Sequence, residues 1–242
     1  LEFNLTPPRP EPRQDGRMDR MEQTILTPFQ SKVLEQIKLD SALTNNFYFT
    51  GGTALSHYYF QHRISEDLDF FSPTEFDSNI LLIWLKKLQN KIKISKIEQQ
   101  NGNGQVTFYL YKAQSKSPLK LDFAFFPFEH LGNFTHDQSL RISSVEDVAI
   151  NKIHAISFRA RSRDYLDLMF CLKKLGWNSK DIMQNYRLKF DIVLPPESLA
   201  TSFTNVTQAS DLPIFLGKIS WDKVEKYFLS LATSLSSSLL SA

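Results

Sequence analysis

Asp67 and Asp69 stand two residues apart at the mouth of a β-prone stretch, Leu68 to Ser72. An extended backbone projects both carboxylates from the same face. Carboxylates that close repel each other unless a cation sits between them, and oxygen-only ligands suit Mg²⁺ or Mn²⁺ completed by substrate phosphates. The apolar neighbours Ile64, Leu68, Phe70 and Phe71 argue against a solvated strand edge. Asp122 is the single acidic residue in the hydrophobic run Lys120 to Phe126. An unpaired buried carboxylate is costly, so a metal or a base is its expected partner. Three strand-borne aspartates can form a two-metal site, with Asp122 ligating the catalytic metal and helping to take the proton from an attacking hydroxyl.

In Phe49-Thr50-Gly51-Gly52-Thr53-Ala54-Leu55 a strand runs into two glycines and a helix starts at once. Free N–H groups and the positive dipole end of a helix suit phosphate, and glycine lets it approach the backbone. The same glycines would also serve a tight turn and nothing more. Arg63 and Ser65, just ahead of the aspartate pair, are candidate nucleotide contacts.

A second source of cations lies later in the chain. On a helix from Val145 to Arg159, Val145, Val148, Ala149, Ala155 and Ile156 fall within ~60° of Lys152. Lys152 therefore centres the apolar stripe, with Arg159 on nearly the same line. Two inward cations could receive a triphosphate, snorkelling at the stripe's edge being the plainer alternative. Arg159-Ala160-Arg161-Ser162-Arg163 is followed by Asp164 and Asp167, one helical turn apart. An internal Arg–Asp network is expected there, as scaffold or as nucleotide contact. His57, Tyr58, Tyr59 and His62 are weaker candidates for a base or ribose. Cys171, beside Leu168, Met169 and Phe170, reads as a buried, inert thiol.

These residues need elements to hold them. Helices are expected over Gln30–Leu39, Thr53–Phe60 and Ser78–Asn90, and strands over Asn46–Thr50 and Leu68–Ser72. Lys91–Glu98 and Gln105–Tyr111 read as a hairpin around Asn101-Gly102-Asn103-Gly104, and Leu119–Phe125 as a third strand. From about Ser143 the pattern turns helical: Val145–Arg159, opened by Ser144 and Asp147 as a capping box, then Asp164–Lys174, Ser179–Tyr186 and Trp221–Leu231. The Ser-rich end from Ser234 is expected to fray. The expected organisation is a disordered or foreign segment over residues 1–20, a mixed α/β core over 21–142 and a helical domain over 143–242.

The 242 residues are 42% hydrophobic and 22% charged, ordinary for a globular chain, with 20 Phe implying an aromatic interior. A formal charge of +2 leaves any nucleic-acid contact to local basic clusters. One cysteine excludes an internal disulfide and points to a reducing cytoplasm. No apolar run reaches the ~20 residues that cross a bilayer.

Two long stretches carry a resemblance to a known family. GGTALSHYYFQHRISEDLDFF resembles the first signature of the AbiEii/AbiGii-type nucleotidyltransferases, the toxins of type IV toxin–antitoxin and phage-abortive systems. VEDVAINKIHAISFRARSRDYLDL resembles their later signature, a lysine-bearing helix followed by Arg-Asp-x-x-Asp, with the Asp122 strand between. The resemblance implies an α+β fold like that of DNA polymerase β-type nucleotidyltransferases: a small mixed sheet flanked by helices, then a helical part closing the cleft. It implies that Gly51, Gly52 and Thr53 hold phosphates, that Asp67 and Asp69 bind Mg²⁺, and that Lys152 contacts the nucleotide. Arg163, Asp164 and Asp167 would complete the site. An NTP substrate, a tRNA acceptor end in some members and a cognate antitoxin are implied as well. The glycine motif here is Gly-Gly-Thr where the wider superfamily commonly has Gly-Ser, which leaves Thr53 as the hydroxyl available for the serine's phosphate contact.

Overall fold

The computed structural model describes residues 25–113, 115, 117–216 and 219–240. The segment 1–20, expected to be disordered, lies outside the described residues. In chain order the elements are α1 (Pro28–Lys38), α2 (Ser41–Asn46), β1 (Tyr48–Thr50), α3 (Gly51–Leu55), β2 (Leu68–Ser72), α4 (Ser78–Leu88), β3 (Lys96–Gly102), β4 (Gln105–Tyr111), β5 (Leu119–Phe125), β6 (Thr135–Asp137) and β7 (Leu140–Ile142). Helices α5 (Val145–Ile156), α6 (Ser162–Leu175), α7 (Ser179–Phe190), α8 (Pro196–Thr204) and α9 (Trp221–Leu240) follow. The arrangement is α+β, a mixed sheet flanked by helices and then a helical C-terminal part.

The strands form one sheet in the order β3-β4-β5-β2-β1-β7-β6. β2 lies parallel to β5 and antiparallel to β1, while β1 runs parallel to β7. Alternation along β2 sends Leu68, Phe70 and Ser72 to one face, where Phe70 stacks on Phe49 and Phe123. That face is sealed by Val33, Leu34 and Ile37 of α1 and by Leu81 and Leu85 of α4. Asp69 and Phe71 take the other face and are only partly buried. A second core, with Ile153, Leu166, Leu168, Phe203 and Phe228, holds the C-terminal helices together.

Local chemistry sets the ends of these elements. Thr27 and Gln30 form a capping box on α1, with Pro28 in its first turn. Ser144 caps α5 as its position suggests. Its expected partner Asp147 accepts from the Ser144 hydroxyl at 2.8 Å, and instead of the Ser144 backbone N–H its carboxylate takes Lys189 at 2.5 Å and the backbone N–H groups of Leu131 and Gly132.

The structure corrects several boundaries. The hairpin turn is Asn103-Gly104 alone, Gly102 pairing with Gln105. β3 starts at Lys96 rather than Lys91, because Ile92 and Ile94 point into the core from a turn, which imitates strand alternation. α5 ends at Ile156, so Arg159 leaves the helix and its side chain is 49% exposed rather than inward. α9 continues to Leu240 instead of fraying after Leu231. Its hydroxyls bond back to carbonyls one turn earlier, Ser236 to Ala232 and Ser237 to Thr233, each at 3.0 Å. The short elements α2, β6, β7 and α8 have no counterpart in the sequence reading. Three-residue strands are too brief to show a period.

Candidate active site

A row of side chains crosses the cleft-side face of the sheet at one level. Thr50 of β1 is in register with Asp69 of β2, Asp69 with Asp122 of β5, and Asp122 with Thr107 of β4. The row opens onto a cleft of about 1200 Å³, including its mouth, between the sheet and helices α5 to α7. Asp67, Asp69, Asp122 and Lys120 line the sheet side, and Lys152, Arg159, Arg161, Arg163 and Asp164 the helical side. Acidic and basic walls thus face each other across a space suited to a polyanion with its cation.

Asp69 carries the electrostatic tension. Burial, then the neighbouring charges of Asp122 and Asp67, push its carboxyl up to about 7. A bound cation relieves that arrangement, so the donor set fits a hard divalent ion. Among the described residues no three acidic, histidine or cysteine side chains form a ready-made ion cage. Asp122 accepts from Thr107 Oγ1 at 2.5 Å and is paired with Lys120, and these two partners occupy the oxygens that a three-aspartate cluster would need.

The glycines are demanded by close approach. Gly51 has φ +74°, and a Cβ there would lie 2.4 Å from Asp69 Oδ2. At Gly52 a Cβ would lie 1.8 Å from Arg63 Nη2. One glycine makes room for the central carboxylate, the other for the ion pair beneath it. After α3 the chain widens into a π-helical turn, Ser56–Phe60, and reverses at Gln61.

Thr53 does not fill the role expected of it. Its side chain is fully buried; Oγ1 donates to the Asp67 carbonyl and lies 2.7 Å from Ser65 Oγ. Gln30 of α1 reinforces the same loop, donating to the carbonyls of Ser65 and Glu66 at 3.0 Å each. Thr53 therefore fixes the turn that aims Asp67 and does not face the cleft. We predict that Thr53→Val, which keeps the volume, costs about 1–2 kcal/mol in urea unfolding by leaving that carbonyl unpaired. Raised KM for nucleotide should accompany it.

Below the cleft floor sits an ionic hub. Asp167, fully buried, accepts from Arg63 Nε at 2.6 Å and Nη2 at 2.9 Å, from Lys152 at 2.7 Å and from His62 Nε2 at 2.7 Å. Lys152 also reaches Asp164 at 2.7 Å, and Arg159 joins Asp164 at 3.2 Å. Burial alone would depress the Lys152 ammonium, but Asp164 and Asp167 hold it above the usual lysine value. Asp167 is held well below the usual carboxylate range by Arg63 and Lys152, against the opposing effect of its burial. Arg163 stands off Asp67 at 3.8 Å. Lys152 does point inward from the apolar stripe, and its two carboxylate partners could not be seen in the helix period.

His62 belongs to this hub rather than to a base pocket, and its burial lowers its proton affinity. The unfolded chain takes up that proton near 6.5, so stability is present above this value and is lost as pH falls below it. His57 and His154, also held low by burial, act in the same sense. Asp69 acts oppositely between 3.8 and about 7. In the Asp69→Asn background we therefore expect urea midpoints to hold near pH 8 and to fall as pH drops through 6.5 towards 5; constant midpoints would refute a neutral His62.

Tyr58 donates to Asp137 at 2.6 Å, away from the cleft, and Cys171 is fully buried with its thiol pushed well up by burial. Arg161 of the expected Arg–Asp network lines the cleft, as do Lys120, Asn151 and His154, which carry no signal of their own in the sequence analysis. Lys120 was legible in principle, two residues before Asp122 on the same strand face.

The sequence model of the nucleotidyl transferase AbiEii toxin family, type IV toxin–antitoxin systems, matches residues 32–218. An uncharacterized protein of Aquifex aeolicus (strain VF5) is 31% identical over 170 residues, 66% of this chain and 74% of that protein. In fold, the chain is similar to the crystal structure of JHP933 from Helicobacter pylori, with TM-score 0.57 and 17% identity over 87% of this chain and 92% of that one. A second Helicobacter pylori structure, solved as a candidate nucleotidyltransferase, gives TM-score 0.56 and 17% identity over 92% and 98%. Among the described residues no helix is long and apolar enough to cross a membrane.

Proposed function

The chain belongs to the AbiEii nucleotidyl transferase toxin family, and from that premise we propose that it moves a nucleoside monophosphate from an NTP to an RNA acceptor, first of all the acceptor end of tRNA. The single observation that carries the reading is the pair of opposed walls, Asp67, Asp69 and Asp122 against Lys152, Arg161 and Arg163. Asp67 and Asp69 would hold Mg²⁺ or Mn²⁺, which supplies charge neutralisation at the phosphates when bound. The N–H groups of Gly51 and Gly52 and the guanidinium groups of the far wall, Arg159 among them, bind the triphosphate oxygens.

In the reaction the acceptor hydroxyl oxygen attacks the α-phosphorus, the bond to the β-phosphate oxygen breaks and pyrophosphate leaves. Asp122 is the group proposed to take the hydroxyl proton and to complete the acidic edge. Lys120 must give up its hold on Asp122 for this, and its partly exposed ammonium is free to turn towards the leaving phosphates. Arg63, Asp164 and Asp167 act beneath the floor, keeping Lys152 in place. Family membership also supports a cognate antitoxin as partner, and the lone cysteine supports a cytoplasmic setting.

The test is transfer of label from each of the four α-labelled NTPs to total tRNA, with Mg²⁺ or Mn²⁺ and with metal removed by chelation. Label that needs both metal and intact Asp69 is the expected result. Label on a protein or small-molecule hydroxyl, with none on tRNA, would keep the transferase and overturn the acceptor.

A further inference from the structure

A chain of aromatic rings leaves the aspartates and runs out of the cleft. It starts at Phe71, two residues beyond Asp69 on the same face of β2. Phe71 stacks on Phe126 at 4.5 Å, and Phe126 meets Phe128 at 4.8 Å. Phe128 meets Phe190 at 4.9 Å, Phe190 meets His154 at 4.9 Å, and His154 meets Phe158 at 4.9 Å. Phe71, Phe126, His154 and Phe190 line the cleft, while Phe128 and Phe158 are 36% and 77% exposed.

Phe190 anchors the row in the C-terminal core, while Phe128 and Phe158 stand out of that core. Phe158 lies just past the end of α5 and, although it meets the edge of His154, exposes three-quarters of its surface. The His154 ring is fixed by its Nδ1, 2.8 Å from Tyr186 Oη, so its position is set in advance of any ligand. Phe126, between Phe71 and the ammonium of Lys189 at 5.6 Å, serves as support. Five successive steps of 4.5–4.9 Å are more than one nucleobase can cover, so a single NTP does not account for the length. Arg159, Arg161 and Arg163 line the same cleft. Aromatic rings and arginines in one cleft are what unpaired bases and their phosphates require, whereas an apolar peptide has no use for the arginines.

We propose that this aromatic row is a track for the unpaired 3′ end of an RNA acceptor strand, which stacks its bases from Phe158 inward and so delivers its terminal hydroxyl to the aspartates. The inference rests on the reading of the acceptor as RNA. It assigns specificity for single strands to rings outside the catalytic residues.

Binding can be measured apart from chemistry. A labelled single-stranded oligoribonucleotide of about eight residues, and the same strand annealed into a duplex, are titrated against the full chain and followed by anisotropy. NTP affinity is measured in parallel by calorimetry. Phe158→Ala and Phe158→Leu should each weaken the single strand on the order of tenfold, Phe158→Trp should retain it, and NTP affinity should not change in any of them. The exposed position of Phe158 lets all three variants fold. Unchanged strand binding in the alanine and leucine variants overturns the track. So does a leucine variant that binds like the parent, since that would mean an apolar contact and point to a protein partner. A chain that binds NTP but no single strand overturns the track and leaves nucleotidyl transfer standing. Strand binding that depends on Phe158 without any NTP binding supports the track and strikes the transferase reading instead.

Discussion

Asp69→Asn is expected to lower nucleotidyl transfer by about a thousandfold or more while leaving the melting temperature no lower than that of the parent. The activity loss follows from the proposed metal pair. Asparagine keeps the shape and one acceptor oxygen but removes the charge that draws a divalent ion, and several kcal/mol of transition-state stabilisation go with it. The stability side follows from geometry already present. Asp69 lies in register with Asp122 and is partly buried beside Asp67, and its carboxyl is pushed up to about 7 by burial and those two neighbours. Above that pH the folded state carries an ionised group it disfavours, and the amide removes the penalty. A function–stability trade of this kind is expected where a site is built for a ligand. Calorimetry and label transfer on one preparation check both halves. A variant that melts well below the parent would show Asp69 to be a structural carboxylate, and one that keeps its activity would remove it from the site.

Asp167→Asn should do the reverse, costing about 3–5 kcal/mol of stability before any question of catalysis arises. Arg63 and Lys152 contribute two positive charges to the hub, Asp164 and Asp167 two negative ones, and His62 stays neutral. The asparagine leaves one buried positive charge in excess. It also turns an amide donor towards Arg63, Lys152 or His62, all of which must donate to that position. Adding Lys152→Met restores neutrality, so the double variant should recover about 1–3 kcal/mol of the loss. Urea unfolding of the two single variants and the double measures this directly. Strict additivity would show that Lys152 and Asp167 are not coupled and that the 2.7 Å contact contributes nothing.

The site was legible in the sequence to different depths. The acidic pair on β2 was readable because strand period alone puts Asp69 on the face opposite Leu68 and Phe70. Lys152 was readable as an inward cation because helix period alone centres it among Val148, Ala149 and Ile156. Its partners were less so. The helix spacing of Asp164 and Asp167 shows that they share a face, but not that the face meets Arg63 from a position 104 residues earlier. Thr53 was misjudged for the same reason: a hydroxyl after two glycines suits phosphate locally, yet packing of α3 against the Ser65–Asp67 loop gives it a carbonyl to satisfy. The short strands β6 and β7 owe their existence to pairing with each other and with β1, and isolated three-residue stretches carry no pattern of their own.

By itself, then, the sequence determined the α+β succession, the presence of a hairpin turning within residues 101–104, the faces of β2, β5 and α5, and, through two long signatures, the family. Those features depend on backbone period, turn chemistry and residue order, which are local. Only the tertiary structure decided that Asp122 is held by Thr107 and Lys120, that His62 and Arg63 close on Asp167, and that rings from β2, α5 and α7 meet beside the cleft. Each of these is a meeting between side chains distant in the chain, and their partners are chosen by sheet register and helix packing rather than by spacing along the backbone.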